Sequence, residues 1–171
     1  MCRFAFFAVT ACLAAPSVAQ EIDTSVDFTT LNRGQFVDEA RRVAEASWVG
    51  AMVIFSRIDA SVAQAIPAFP WNEDFVTAYS CIYDDMSTAG TLNEYNAMRD
   101  ESVKFLAFVE QNPEVTLLTI DQYDEALDLM VPSDITIAAM QGCGLMTLNQ
   151  EAMVESGLMQ AVTQFFAEQD E

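Results

Sequence analysis

The sequence predicts an all-α fold: a single-domain bundle of six or seven helices with one disulfide. Three observations carry this. The chain is 52% hydrophobic yet holds only 6 Gly and 5 Pro, with Ala, Met, Leu and Glu in quantity, a mix that favours helix. Apolar residues recur at helical spacing in segments separated by capping and breaking residues. Once an N-terminal leader is set aside, Cys81 and Cys143 remain as a pair.

The leader comes first in the chain. Met1-Cys2-Arg3 is a short, positively charged start, Phe4 to Ala15 is uncharged and apolar, Pro16 breaks it, and Ser17-Val18-Ala19 ends in small residues. This is the pattern of a secretory signal peptide over residues 1–19, with the mature chain beginning near Gln20. The apolar run is too short for a membrane span, which needs about 20 residues. Val9-Thr10-Ala11-Cys12 loosely resembles a lipid-attachment motif, so Cys12 is an alternative anchor. The organisation expected is therefore signal peptide 1–19, a flexible N-terminal arm 20–31, and a helical domain 32–171. The expected location is the bacterial periplasm or outside the cell.

Residues 20–30 show no periodicity. Asn32 opens the first helix, with Gln35 in the capping-box position and Phe36, Val37, Ala40, Val43 and Ala44 at helical spacing. The pattern continues through Trp48 to Ile58, although a strand over Val49–Phe55 competes there, and Gly50 weakens either element. A short helix is expected at Ala60–Ile66, followed by a connection at Pro67 and Pro70. Asn72 caps the next helix, with Glu73 and Asp74 at its positive end. Its stripe of Phe75, Val76, Tyr79, Ile82, Tyr83 and Met86 spans about 120°, and Ala89-Gly90 ends it. Thr91-Leu92-Asn93-Glu94 reads as a capping box for a helix with Tyr95, Met98, Phe105, Leu106 and Val109 on one side. Asn112-Pro113 stops that helix. Thr119-Ile120-Asp121-Gln122 reads as another capping box, for a helix to about Met130. Pro132-Ser133 starts a helix to about Leu148, and Asn149 caps a last segment that Gly157 interrupts before Glu168.

Cysteine usage follows from export. Cys2 and Cys12 leave with the leader, and two cysteines in an oxidising compartment form one disulfide, Cys81 to Cys143. Chain-entropy arithmetic makes this bridge worth about 4 kcal/mol. Cys81 lies about 160° from Tyr79 around its helix, on the polar face. Ile135, Ile137, Ala138, Met140, Leu145, Met146 and Leu148 cover the helix of Cys143 nearly all round, which predicts a buried helix. The bridge should clip one helix to the other.

Composition narrows function. The chain has 26 acidic residues, 7 Lys and Arg, and no His, for a formal net charge of −19. Losing Arg3 with the leader takes this to −20. Such charge repels nucleic acid and anionic membranes and draws cationic partners. Without His there is no Ser-His-Asp or Cys-His catalysis and no ordinary zinc site. With Cys81 and Cys143 bridged, thiol chemistry goes too. Lys104 is the only lysine. It pairs better with Asp100, four residues earlier, than with Ser102. The carboxylates Asp84-Asp85 and Asp121, Asp124, Glu125 and Asp128 could serve acid-base or cation chemistry, but the second set is the spacing of a solvated helix face. No residue is assigned as catalytic, and no cofactor or metal site is predicted. The methionines, Met52, Met86, Met98, Met130, Met140, Met146, Met153 and Met159, read as core filling. Phe165-Phe166 belongs either to a partner surface or under the last helix.

These readings lead to an exported, acidic, non-catalytic binding or interaction protein of unknown protein partner, whose negative charge would favour a cationic one. In size, helicity, export and a single disulfide it resembles, as a class, the acid-stress chaperones of the HdeA type. That likeness implies a stress- or chaperone-like role and assigns no residue. Two alternatives stand beside it: a two-carboxylate hydrolase acting on cell wall or polysaccharide, and a divalent-cation-binding protein.

Overall fold

A computed structural model describes residues 22–124, 126, 129 and 132–169. The expected leader, Cys12 and the mature start at Gln20 lie outside these residues. So do Glu125, Asp128 and the expected helix end at Met130.

Among the described residues the chain is all-α. The helices are α1 (Arg33–Ser56), α2 (Ala60–Gln64), α3 (Glu73–Ala89), α4 (Asn93–Gln111), α5 (Asp134–Gly142), α6 (Leu145–Glu155) and α7 (Leu158–Gln169). Asp124, Ala126 and Leu129 are helical as well. Short 3-10 turns stand at Phe28–Thr30 and Ile120–Gln122.

Local chemistry sets most of the boundaries. Asn32 and Gln35 form a reciprocal capping box, each side chain accepting from the other's backbone N–H at 3.1 Å. Such a box satisfies two donors that a helix start otherwise leaves open. Asn72 Oδ1 accepts from the N–H groups of Asp74 and Phe75. Ser133 caps α5 through the Thr136 N–H. Gly90, Gly144 and Gly157 all have positive φ, the left-handed conformation that glycine takes most cheaply. Each stands at a break between helices.

α1 organises the rest. α3 lies antiparallel to it, since Arg33 near the start of α1 meets Asp84 late in α3. Farther along α1, Arg41 lies over the ring of Trp71, just before α3. α4 runs parallel to α1: Phe36 packs on Tyr95, while at the far end Arg57 reaches the end of α4. Its guanidinium donates to the carbonyls of Val109, Asn112 and Val115 at 2.9–3.0 Å. These include carbonyls that the end of a helix leaves without intrahelical partners.

Three apolar clusters follow α1 along its length. The largest joins Phe36, Val43, Phe75, Tyr79, Ile82, Met86, Tyr95 and Leu145. A second gathers Ile54, Phe105, Val109, Val115 and Ile120. The third holds Met52, Val62 and Leu158, with Trp48 and Phe165 packed against it. The helix alternative for residues 49–55 is the one observed. Gly50 is the contact point there: a Cβ on it would meet Leu106 Cδ2 at 2.6 Å. The missing side chain lets α1 and α4 close on each other, so Gly50→Leu should cost about 1–3 kcal/mol through overpacking, measured by urea unfolding.

Several expectations are corrected. The segment expected as a loose arm is docked over residues 22–31. Phe28 is fully buried, stacked between Phe36 and Tyr95. Its N–H donates to Asn96 Oδ1, and Asp27 Oδ1 accepts from Asn96 Nδ2 and from Thr29. One aromatic anchor and a side-chain network hold this segment, and neither has a periodicity to detect. The helix expected from Ser133 to Leu148 is two helices broken at Cys143-Gly144. The break turns the axis, so Ile135 and Met146 are exposed and only Thr136, Ala139 and Leu145 of this stretch are buried. Thr91 does not cap α4; its hydroxyl lies toward the Met86 carbonyl, back on α3. Thr119 likewise binds Thr116 and starts only a 3-10 turn. Asn149 lies inside α6 rather than at its start. Val76, placed on the apolar stripe, is 39% exposed.

The disulfide joins Cys81 to Cys143, with the Cα atoms 5.7 Å apart. Cys81 stands on the outer face of α3 and Cys143 caps the end of α5. The bridge thus pins the corner between α5 and α6 to α3.

Candidate functional site

Two helix faces with the same spacing build a cleft. α1 contributes Ala44, Ser47, Trp48 and Ala51; α4 contributes Met98, Glu101, Ser102 and Phe105. Each set follows i, i+3, i+4, i+7, one face of a helix. Tyr79, Met140 and Asn149 close it from α3, α5 and α6, together with Phe69, Leu129 and Pro132. The volume is about 270 Å³, near the lower end for small-molecule sites. That suits a compact ligand or one large side chain of a partner.

Its wall is mostly apolar. The indole of Trp48 is held in place, because its Nε1–H donates to the Pro67 carbonyl at 3.2 Å. Trp48 and Phe69 then continue as an aromatic row through Trp71 to Phe75 and Tyr79. Tyr79 is buried beside Tyr95, and burial pushes both phenols up, so both stay neutral.

The polar groups in the wall are few. Ser47 Oγ donates to the Val43 carbonyl and Ser102 Oγ to the Met98 carbonyl, each at 2.8 Å. Both hydroxyl protons are thereby used, and the oxygens are left as acceptors. Glu101 is the only charged residue among the described lining residues.

The residues that the sequence offered for acid-base, cation or thioether chemistry lie elsewhere among the described residues, apart from Met98 and Met140; Ser102, weighed against Lys104, is in the wall as well. Asp84 is held by Arg33 on the surface, and its neighbour Asp85 is exposed. Asp121 lies in the 3-10 turn after α4 and Asp124 in the helical residues that follow, and neither lines the cleft. Asp100 pairs with Arg99 rather than with Lys104. Arg99 is only 5% exposed, because it also donates to the Val26 carbonyl and lies over the Phe28 ring. A nearer, buried guanidinium wins over the exposed ammonium. Met52 and Met86 are core, and Met98 and Met140 are partly buried. Phe165 packs inward while Phe166 is exposed. Among the described residues no group of three or more Cys, Asp and Glu could hold a metal ion, and no helix is long and apolar enough to cross a membrane.

Sequence reasoning missed Glu101 and Ser102 as a pair within a site. The available signal was their register. They fall three and four residues after Met98 and precede Phe105, so two polar residues interrupt an apolar stripe.

The carboxylate of Asp27 is held below its ordinary value, by the hydrogen bond from Asn96 first and then those from Thr29. A lowered folded-state value gives stability that is present above the ordinary carboxyl pKa and is lost as pH falls through the folded value. Protection of the Phe28 amide against hydrogen exchange should therefore hold from neutral pH down to the carboxyl range and drop below it. In Asp27→Ala that protection should be low throughout.

No protein-family model matches the chain, and no characterised protein or solved structure does either.

Proposed function

We propose that this is an exported, acidic binding protein without catalytic activity, and that the cleft between α1 and α4 takes its ligand. The observation that carries the reading is the cleft itself: concave, mostly apolar, framed by a fixed indole and a few convergent polar groups, the ordinary make-up of a ligand site. The Cys81–Cys143 bridge is compatible with an oxidising compartment. A hydrolase of the two-carboxylate type gains no support from the cleft, where Glu101 is the one acid among the described residues.

The test uses the full chain with N-phenylnaphthylamine, an uncharged apolar fluorophore. Its emission should rise on binding, with energy transfer from Trp48. Ala44→Leu, which fills the cleft, should abolish the signal while leaving the melting temperature within a few degrees. Equal binding by the filled variant would refute the cleft as the site. Mass spectrometry of the exported protein should find Gln20 at its N-terminus.

The chaperone-like version rests on a different feature. Ile135, Met146, Val154, Met159 and Phe166 are exposed on α5, α6 and α7, apolar side chains on which a client protein could be held. Acidification should increase dye binding and suppress aggregation of a client protein; absence of both would exclude this version.

A further inference from the structure

Resting on the cleft reading above, we infer that the ligand is an amphiphilic cation: a compact apolar or aromatic body carrying one ammonium or amidinium head. Three features of the wall point the same way.

The first is charge. Among the described lining residues Glu101 is the only carboxylate, and no Lys or Arg lines the cleft with it; no salt bridge or hydrogen bond to its carboxylate from a basic side chain is present among the described residues. The second is hydrogen-bond polarity. Ser47 and Ser102 have already given their protons to their own helices, so each offers only lone pairs. Ser102 is next to Glu101, and Ser47 stands on the opposing helix. A head group that donates several hydrogen bonds is served by this set; a carboxylate or phosphate is not. The third is the aromatic lining. Trp48, Phe69 and Phe105 line the cleft, and aromatic rings attract cations as well as apolar bodies.

The basic residues strengthen the argument by where they are used. Arg33 and Arg42 pair with Asp84 and Glu39, Arg99 with Asp100. Arg57 is engaged by three carbonyls and Arg41 by Trp71. Lys104, three residues after Glu101 on α4, is exposed and forms no ion pair among the described residues. None of these bases lines the cleft as described, so none of them neutralises Glu101 there. A bound ammonium would do so.

Calorimetric titration of the full chain with three matched ligands separates the alternatives: phenylbutylamine, phenylbutanol and phenylbutyrate, which share one apolar body. The amine should bind about tenfold more tightly than the alcohol, the scale of one hydrogen bond between charged groups, and the acid should be weakest. Glu101→Gln keeps the shape and should bring amine and alcohol to within about twofold. Glu110→Gln removes an exposed acid from the same helix and should leave the preference intact. Circular dichroism of both variants should match the parent. If amine and alcohol bind equally well, the inference falls while the cleft reading stands. If the preference survives Glu101→Gln, or is lost equally in Glu110→Gln, it belongs to the overall negative field and the inference again falls. If none of the three ligands binds the parent chain, both readings fall.

Discussion

Replacing Cys81 and Cys143 together by serine should lower the melting temperature by roughly 8–16 °C. The bridge spans a sequence separation of 62, and closing a loop of that size removes about 4 kcal/mol of freedom from the unfolded chain. A domain of this length loses about 2–4 °C per kcal/mol. The position of the bridge works in the same direction. α5 is short, and α6 buries a single side chain, Leu145; both pack on α3. Without the bridge, the corner at Cys143-Gly144 is held to α3 by apolar contacts alone. Reductant added to the parent chain should reproduce the shift. A melting curve that ignores both the substitution and the reductant would show that the unfolded chain is already compact around these positions.

Phe28→Ala should be the most damaging single substitution in the N-terminal segment, costing about 3–5 kcal/mol. The ring is wholly buried, 5.0 Å from Tyr95 and 5.5 Å from Phe36. Removing it opens a void between Phe36 of α1 and Tyr95 of α4. It also removes the surface on which the Arg99 guanidinium lies, leaving a buried charge with one partner fewer. Phe28→Leu should recover most of the loss, because it refills the void with apolar volume. Phe166→Ala provides the contrast: that ring is 45% exposed, and its loss should stay within about 0.5 kcal/mol. Urea unfolding of the three variants measures all of this. Equal stabilities for Phe28→Ala and Phe166→Ala would mean that the segment before α1 is not part of the folded core.

Helix starts and stops were legible wherever one side chain does the work locally. Asn32, Asn72, Ser133, Gly90 and Gly157 all act as their residue types suggest. Legibility failed where two uses of a residue compete. Thr91 could cap forward but binds back: its backbone N–H closes the end of α3 on the Met86 carbonyl at 2.9 Å, which carries its hydroxyl to the same side. Asp100 could take Lys104, but Arg99 is adjacent and already fixed by the carbonyl of Val26. Periodicity also cannot show a change of axis. Residues 133–148 look apolar all round because two amphipathic helices are being averaged across the corner at Gly144. The cleft was hidden for a related reason. Its wall is split between two stripes, each read separately as core, and only their parallel alignment brings Ser47 opposite Glu101 and Ser102. The disulfide was the most legible tertiary feature, because setting aside Cys2 and Cys12 with the expected leader leaves a single pair of cysteines to join.

α1 has a share in all three apolar clusters, and this sets the order in which the molecule can open. Any excursion that releases α1 must dissolve every cluster at once, so its central amides should exchange only through global unfolding. α7 is different, because its packing is confined to α2, α6 and the third cluster. It can detach as a separate cooperative unit at lower free energy while the disulfide-bonded half stays intact. Native-state hydrogen exchange should thus resolve two classes of amide, the slower centred on α1 and α3 and the faster on α7.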